Sequence, residues 1–346
     1  MLKSQFRLKC AVILTIFIFS LTNQGISFEK YTFPSLKDLT SPDVTYWAYQ
    51  LQNVDIQALK NSNFDLFVID YSQDGSNATA WTKNDLNILK NEGKFVISYL
   101  SIGEAEDYRY YWHDNWSTTN KPSWLGPENP DWQGNYKVKF WEKGWQDIIY
   151  KYLDIIIAQG FNGVYLDIID AYLYFEDQGV SNAKDLMINF VQNISNYAKT
   201  KSGNDFLIIP QNGEELLDNS SYRSVISGIG IEDLYYHNDG SKNSQSDINS
   251  RESLLSLLTN ENKLVLTVDY VKDRSKQQDV YTTARSKGFI PYTTDVALDT
   301  LTPPLVLSEN STNSQKVATG YDAMLVLPSL IGIAVIINLI KKKRDS

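Results

Sequence analysis

The sequence is poor in the side chains that most often bind transition metals or perform thiol chemistry. Its 346 residues include one cysteine, Cys10, and two histidines, His113 and His237. Cys10 precedes an apolar segment that we expect to be removed with a signal peptide, which would leave no disulfide and no reactive thiol. Neither histidine has another histidine three or four residues away, which disfavours a zinc site. We therefore predict no metal and no cofactor, with an all-carboxylate Mg²⁺ or Ca²⁺ site as the open alternative.

Excess positive charge and the motifs of several enzyme classes are also missing. The chain has 32 Lys and Arg against 41 Asp and Glu, a net charge of −9. Such a charge disfavours nucleic acid as a partner and favours a neutral or cationic ligand. There is no Gly-x-Ser-x-Gly motif of the kind found in many serine hydrolases. The segment Leu51-Gln-Asn-Val-Asp, after the first predicted strand, lacks the glycines of a phosphate-binding loop.

Acidic residues recur at the ends of apolar, strand-like segments. Five such segments end in acids, which are Asp70, Glu104, Asp167, Glu232 and Asp269. A carboxylate at the end of a buried strand does little for stability, but a parallel barrel presents its chemistry at this end. The pattern indicates sugar chemistry or a metal site.

Strand and helix patterns alternate eight times, which predicts an α/β protein with a (β/α)8 barrel over residues 35–302. The strands are predicted at 44–52, 64–71, 94–101, 163–167, 206–210, 228–235, 263–270 and 289–294. Helical patterns at 81–91, 145–158, 184–201 and 277–286 end near a glycine, the usual helix stop signal. The strands are mostly continuous apolar runs, as in parallel sheets buried on both faces. An open doubly wound sheet is the alternative.

The segment after the third strand, about residues 103–141, is unusually long and rich in aromatic residues. Its five tryptophans are Trp112, Trp116, Trp124, Trp132 and Trp141. A long loop in a compact domain is usually functional or disordered, and this many tryptophans argue against disorder. We predict that it forms a wall of a ligand cleft, with a simple cap over the barrel mouth as the alternative.

Both ends of the chain read as membrane-targeting segments. Residues 1–27 have basic residues followed by an apolar stretch, which predicts a signal peptide, with an uncleaved anchor as the alternative. Residues 303–320 read as a stalk, 321–340 as a transmembrane helix and 341–346 as a basic cytoplasmic tail. The stretch 323–340 is uncharged and precedes Lys-Lys-Lys-Arg, as expected for a span with its basic flank inside. We therefore predict a cell-surface protein anchored by a C-terminal helix.

Two of the strand-end acids suit glycosidic bond cleavage, which uses one carboxyl group to protonate the leaving oxygen and another to attack or to activate water. Asp167 follows the fourth strand and Glu232 the sixth, so their side chains can face each other across the barrel mouth. Asp170, three residues after Asp167, could orient it, bind a sugar hydroxyl or cap the next turn. We expect Asp167 to be the nucleophile and Glu232 the acid/base of a retaining mechanism.

Several motifs over residues 44–300 resemble the polygalactosaminidase-type family, glycoside hydrolase family 114. They include Asp65-Leu-Phe-Val-Ile-Asp70, Tyr99-Leu-Ser-Ile-Gly-Glu-Ala-Glu-Asp-Tyr108, Asn129-Pro-Asp-Trp132, Gly163-Val-Tyr-Leu-Asp-Ile-Ile-Asp-Ala-Tyr172 and Gln211-Asn-Gly213. Within the family the chain looks closest to a prokaryotic branch formerly labelled as related to cysteinyl-tRNA synthetase. The label conflicts with the lack of a nucleotide-binding signature.

The resemblance implies a (β/α)8 barrel that cleaves α-1,4-linked galactosamine polymers, with the family's catalytic Asp at Asp167 and its catalytic Glu at Glu232. Fungal members usually have Asn where this chain has Ile168, so one polar contact with substrate is missing. The residues expected to bind substrate are Trp47, Tyr49, Asp70, Tyr99, Glu104, Asp170, Tyr172, Asn212, Asp269 and Tyr292. The alternatives are a non-catalytic barrel that binds surface polysaccharide, and a hydrolase for another amino-sugar polymer.

Overall fold

A computed structural model describes residues 43–116 and 120–306. The strands are β1 (Trp47–Tyr49), β2 (Leu66–Ile69), β3 (Phe95–Ser101), β4 (Glu104–Glu106), β5 (Leu125–Asn129), β6 (Trp132–Val138), β7 (Gly163–Asp167), β8 (Leu207–Pro210), β9 (Gly228–Glu232), β10 (Leu264–Asp269) and β11 (Ile290–Thr293). The helices are α1 (Ile56–Asn61), α2 (Lys83–Lys90), α3 (Lys143–Gln159), α4 (Ala171–Asp177), α5 (Ala183–Ser202), α6 (Ser220–Val225), α7 (Gln245–Asn260) and α8 (Arg274–Ser286). Short 3₁₀ helices span Asn77–Thr79 and Glu214–Asp218.

Eight parallel strands form the centre of the fold, as the alternating pattern predicted. One sheet has the order β1-β2-β3-β7-β8 and a second has the order β11-β10-β9. A parallel bridge between Gln211 and Gly230 links the two sheets after β8. At the other edge the Trp47 indole of β1 donates to the carbonyl of Ile290 in β11 at 2.8 Å. The strands therefore follow one another in chain order, and the first lies beside the last.

Local sequence signals fix the ends of the helices. Thr82 and Asp85 form a reciprocal capping box at the start of α2, which satisfies two otherwise unpaired backbone donors. Gly160 ends α3 in the left-handed conformation, with φ of 90°, a geometry that glycine adopts without steric cost. Because the helices begin and end at these residues, the chain can return to the amino end of the next strand.

The centre of the barrel is filled by aromatic side chains. Tyr49 and Tyr165 lie 5.2 Å apart between ring centroids, and Trp47 lies 5.9 Å from Tyr292. All four are essentially inaccessible to solvent. Gly230 makes room for them, since a Cβ at this position would lie 1.9 Å from the Tyr165 hydroxyl oxygen. The aromatic layer forms the floor beneath the carboxyl ends of the strands.

The segment after β3 differs from the predicted loop. It contains the antiparallel sheet β4-β6-β5. We call the segment from Glu104 to Val138, which includes this sheet, the insert. Trp116 and Trp124 are buried at its base, and Trp124 packs 5.1 Å from Trp145 of α3. Much of its tryptophan content therefore packs the insert onto the barrel instead of facing a ligand. The near-alternation of apolar and polar residue types in Trp132-Gln-Gly-Asn-Tyr-Lys-Val138 is a strand signal that the loop prediction did not use.

The predicted terminal segments lie largely outside the described residues. The signal peptide, the transmembrane helix and the basic tail fall entirely there, together with most of the stalk. In the described part of the chain, no helix is both long and apolar enough to cross a membrane.

We expect Gly230→Ala to lower the free energy of unfolding by about 1–3 kcal/mol, because the added methyl group overpacks a rigid aromatic core. Urea denaturation of the wild type, Gly230→Ala, Tyr165→Ala and the double variant would measure it. The two substitutions should couple, so the double variant should lose less stability than the sum of the single losses. Additive losses would show that Tyr165 does not require the space beside Gly230.

Candidate active site

Three neighbouring strand ends, those of β7, β8 and β9, carry the polar residues of the candidate site. The chain adopts positive φ angles at each end, at Ile168 (59°), Asn212 (59°) and Asp233 (49°). A β-branched residue such as isoleucine is a genuine outlier in this conformation. Backbone strain of this kind persists where the surrounding structure enforces it, often at functional sites. Here it turns the chain sharply just after the carboxyl groups of Asp167 and Glu232.

The Asp167 carboxyl group receives a hydrogen bond on each oxygen. The Tyr99 hydroxyl donates to Oδ2 at 2.6 Å, and the backbone N–H of Ile168 donates to Oδ1 at 2.7 Å. These donors stabilise the carboxylate, but burial and the charge of Glu232 have the larger effect and raise the pKa of Asp167 to about 8. The structure therefore confirms that Asp167 and Tyr99 are neighbours at the mouth of the barrel.

Glu232 is held by residues from the two adjacent strands. The Asn212 side chain donates to Oε2 at 3.1 Å and accepts from the Glu232 backbone N–H at 3.0 Å. The Tyr270 hydroxyl donates to Oε1. The sequence reasoning missed Tyr270, although it directly follows Asp269 at a strand end where a search for polar side chains could have found it.

Asp167 and Glu232, which we call the carboxyl pair, lie close enough for the charge of Glu232 to act on Asp167. The charge of Glu232 contributes to the raised pKa of Asp167. Burial raises the pKa values of Tyr49 and Tyr165 strongly, and both members of the pair raise them further. The two tyrosines therefore lie under the pair as a neutral, apolar floor. Tyr165 was not among the predicted site residues, but it precedes Asp167 by two positions, which places both on one face of β7.

A buried ion network lies beside Tyr99. Arg109 donates to Asp70 Oδ2 and to Glu106 Oε2, both at 2.6 Å. Burial raises the pKa of Asp70, and Arg109 opposes this shift. Buried charges need such partners. The Asp70 carboxylate is paired with Arg109, and its contact with substrate stays a prediction.

Glu104 and Asp269 are also committed to the protein. Glu104 is inaccessible to solvent and accepts from Lys137 at 2.6 Å and Asn129 at 2.9 Å, which ties β4 to β6 and β5 within the insert. Asp269 is equally buried, and its Oδ1 accepts from the backbone N–H groups of Tyr235 and Tyr236. Burial raises the pKa of Asp269 to about 7. Both carboxyl groups therefore have structural partners, and their contacts with substrate stay predictions.

Three predicted aromatic contacts are buried as well. Trp47 and Tyr292 are inaccessible within the barrel, and Tyr172 is 2% exposed with its hydroxyl 3.3 Å from Glu215. Their assignment as substrate contacts is wrong for this structure, because core packing covers their rings. Tyr49, also buried, remains part of the site as its floor.

Asp170 lies near the pair. The residue as a whole is exposed, but its carboxyl group lies among protein atoms that raise its pKa by burial, and Lys137 opposes this shift. Its side chain makes no capping hydrogen bond at the start of α4, so the capping role considered from the sequence is absent. Among residues 43–116 and 120–306, no group of three or more His, Cys, Asp or Glu side chains is arranged to bind a metal ion.

The arrangement supplies two carboxyl groups above an apolar floor. The raised pKa of Asp167 keeps a proton available near neutral pH, and Glu232 supplies a second carboxyl group beside it. This is the requirement of bond cleavage by a proton donor and a nucleophile or base.

Comparison with known sequences gives family-level matches over most of the chain. The model of glycoside hydrolase family GH114 matches residues 30–306. An uncharacterized protein of Methanocaldococcus jannaschii is 46% identical over 260 residues, which cover 71% of this chain and 74% of the relative. An uncharacterized protein of Thermotoga maritima is 38% identical over 302 residues, which cover 83% and 90%.

Two solved structures share the fold at low sequence identity. The glycoside hydrolase domain of PelA from Pseudomonas aeruginosa has a TM-score of 0.59 and 18% identity, covering 75% of this chain and 97% of that domain. Ega3 of Aspergillus fumigatus, solved in complex with galactosamine, has a TM-score of 0.57 and 18% identity, covering 78% and 98%.

The raised pKa of Asp167 predicts a pH-dependent effect of Asp167→Asn on stability. Because the fold favours the neutral carboxyl, its stabilising contribution is complete below the ordinary pKa near 4 and is lost as the pH rises through about 8. Asparagine resembles the neutral form and does not titrate. The variant should therefore gain about 1–3 kcal/mol of unfolding free energy relative to wild type over this range, since partial solvent exposure limits the effect. Urea denaturation at pH 5 and pH 8 would measure the gain, and an equal difference at both pH values would contradict it.

Proposed function

Since the chain belongs to glycoside hydrolase family GH114, we propose that it hydrolyses an amino-sugar polysaccharide, specifically a polymer of α-1,4-linked galactosamine. The observation that carries the proposal is the carboxyl pair, because glycosidases place two carboxyl groups at the scissile bond. The net charge of −9 favours a substrate that carries protonated amines. Ega3, which shares the fold, binds galactosamine.

The proposed mechanism uses the two carboxyl groups in different protonation states. Asp167 attacks the anomeric carbon as a carboxylate, while Glu232 protonates the leaving oxygen. Water then attacks the glycosyl–Asp167 ester, and Glu232 accepts a proton from that water. The donors on Asp167, Tyr99 and the Ile168 N–H, stabilise the anion that attacks and later leaves. This assignment requires Asp167 to be ionised and Glu232 to be protonated when substrate is bound.

A barrel that only binds polysaccharide would not need this arrangement. The raised pKa of Asp167 costs folding free energy once the group is ionised, and ionisable groups with strongly shifted pKa values cluster at catalytic sites. We therefore favour catalysis over binding alone.

Asp167→Asn and Glu232→Gln should each lower turnover of an α-1,4-galactosamine polymer by about 10²- to 10⁴-fold where proton transfer is lost, while leaving the fold intact. Product mass spectrometry with purified protein would measure the loss. Asp170→Asn, which alters a charge near the pair without removing a member of it, is the matched control and should cost less.

A substrate with a good leaving group separates the two roles. Such a substrate needs no protonation in the first step, so Glu232→Gln should still release the leaving group in a burst, and Asp167→Asn should not. Near wild-type hydrolysis by either variant of the pair would contradict the assignment.

We also propose that the enzyme acts at the cell surface, exported by residues 1–27 and held by a helix over 321–340 that follows the 303–320 stalk. The support is the sequence: 323–340 contains no charged residue and is followed by three lysines and an arginine, which favour a span with a cytoplasmic tail.

The full-length protein should sediment with membranes, and a version that ends at Thr302 should remain in the supernatant, because the apolar stretch is the proposed anchor. Ultracentrifugation of carbonate-washed membranes would measure the distribution. A version with two lysines substituted into 323–340 is the matched control and should also be released. Equal sedimentation of all three would contradict the anchor.

A further inference from the structure

The loops after β8 and β9 are joined to each other at two levels. At the barrel mouth, the Asn212 side chain donates to Glu232 Oε2 and accepts from the Glu232 backbone N–H. A second connection passes through Arg251 of α7, a residue outside the predicted site and outside the proposed mechanism. Arg251 Nε donates to Glu214 Oε1 at 2.5 Å, and Glu214 follows Asn212 by two positions.

The other nitrogens of the Arg251 guanidinium bind backbone carbonyls beside the carboxyl pair. Nη2 donates to the carbonyl oxygen of Glu232 at 3.1 Å, and Nη1 donates to that of Asp233 at 2.9 Å. The planar fork of arginine can donate in several directions at once, which the point charge of a lysine ammonium does not reproduce. Arg251 therefore connects the backbone of one member of the carboxyl pair to the loop that carries Asn212.

These bonds fall on two turns with left-handed backbone. The φ angle is 59° at Asn212 and 49° at Asp233, and such conformations of residues other than glycine persist only where the surrounding structure enforces them. The Asp233 carbonyl also accepts from Asn243 Nδ2 at 2.7 Å. Arg251 and Asn243 therefore supply contacts that keep the turn after Glu232 in this conformation.

The ion pair of Arg251 with Glu214 is partly shielded from solvent. The Glu214 side chain is 7% exposed and the Arg251 side chain 20% exposed, so the pair is screened less than one at the surface. The charge of Arg251 also reaches the neighbouring turn. Burial and the charge of Glu232 raise the pKa of Asp233 to about 6, and Arg251 opposes this shift.

We propose that Arg251, oriented by Glu214, is a positioning residue of the active site. It fixes the turn at Glu232 and thereby holds the Glu232 carboxyl group close to that of Asp167. The inference rests on the proposed function where it concerns turnover, because it assigns Arg251 to the same carboxyl pair. Since like charges repel, a looser turn would let the two carboxyl groups move apart and would weaken the effect of Glu232 on Asp167.

Titration of the Asp167 carboxyl group tests the positioning without any substrate. Carbon NMR of protein with isotope-labelled aspartate carboxyl groups follows the titration, and Asp167→Asn identifies the signal of this residue. In the wild type the pKa should lie near 8, raised by burial, Glu232 and Asp170 against the hydrogen bond from Tyr99. In Arg251→Met and Arg251→Lys it should fall by about one pH unit, as expected when one neighbouring charge moves away. Loss of a positive charge alone would raise this pKa, so a fall reports a change in geometry.

Kinetics on an α-1,4-galactosamine polymer give the second readout. Both Arg251 variants should lower kcat by about 10- to 10²-fold, the cost of a misplacement of about 1 Å. KM should change little, because neither substitution removes a group that contacts substrate in the proposed mechanism. Glu214→Gln keeps the side-chain volume and one acceptor oxygen, so it should have a smaller effect in the same direction. It carries the test if Arg251→Met does not fold.

Arg223→Met is the matched control. Arg223 also pairs with a glutamate, Glu261, and also donates to a backbone carbonyl, that of Leu217. Glu261 lies just before β10 begins, and thus at the amino ends of the strands, away from the carboxyl pair. The control should therefore keep the wild-type titration of Asp167 and the wild-type kcat, even where it loses stability.

Lower stability of the Arg251 variants with unchanged titration of Asp167 and unchanged kcat would overturn the proposal, as would an equal change in the control. A wild-type titration in Arg251→Lys would overturn it too, because lysine keeps the charge but not the three hydrogen bonds. If the wild type does not cleave the polymer, a lower pKa of Asp167 in the Arg251 variants and not in the control would support the positioning and count against the proposed function.

Discussion

The mutual repulsion of Asp167 and Glu232 is the constraint on which the rest of the site depends. Two carboxyl groups at adjacent positions of a partly buried mouth cannot both ionise freely, and the pKa of Asp167 rises to about 8. The protein tolerates this arrangement because each group receives two side-chain or backbone donors. The strained left-handed backbone at Ile168 and Asp233 indicates that the surrounding strands enforce these positions.

The supporting structure is built from aromatic and ionic layers with different tasks. The rings of Tyr49 and Tyr165 form a floor that excludes water from below the carboxyl groups and strengthens their interaction. The insert forms the side; tryptophan packing anchors it on α3, and the Lys137–Glu104 ion pair joins its strands β4 and β6. Arg109 joins Asp70 to Glu106, so residues after β2 and within the insert are linked next to Tyr99. Removing one member would leave a buried charge without its partner, which is costly.

Most of the fold could be predicted from the sequence, because parallel strands buried on both faces give continuous apolar runs and because glycine marks helix ends. The observed strand β7 coincides with the prediction, while β1 and β9 are shorter than predicted since strand ends depend on pairing. Asp167, Glu232 and Asp269 end β7, β9 and β10, as predicted, whereas Glu104 begins β4. Which of them face a ligand could not be read from the sequence: Asp70 and Glu104 are neutralised by Arg109 and Lys137 from the insert, contacts that only the tertiary structure reveals. For the same reason Trp47 looked like a sugar platform and is a core residue, whereas Tyr270 was overlooked.

The pH dependence of kcat/KM for the wild-type enzyme on an α-1,4-galactosamine polymer tests the central claim most directly, because this parameter reports the ionisation of the free enzyme. The account predicts an inflection of kcat/KM near pH 8, where the Asp167 carboxyl group loses its proton. A value of kcat/KM that stays constant from neutral pH to well above 8 would contradict it.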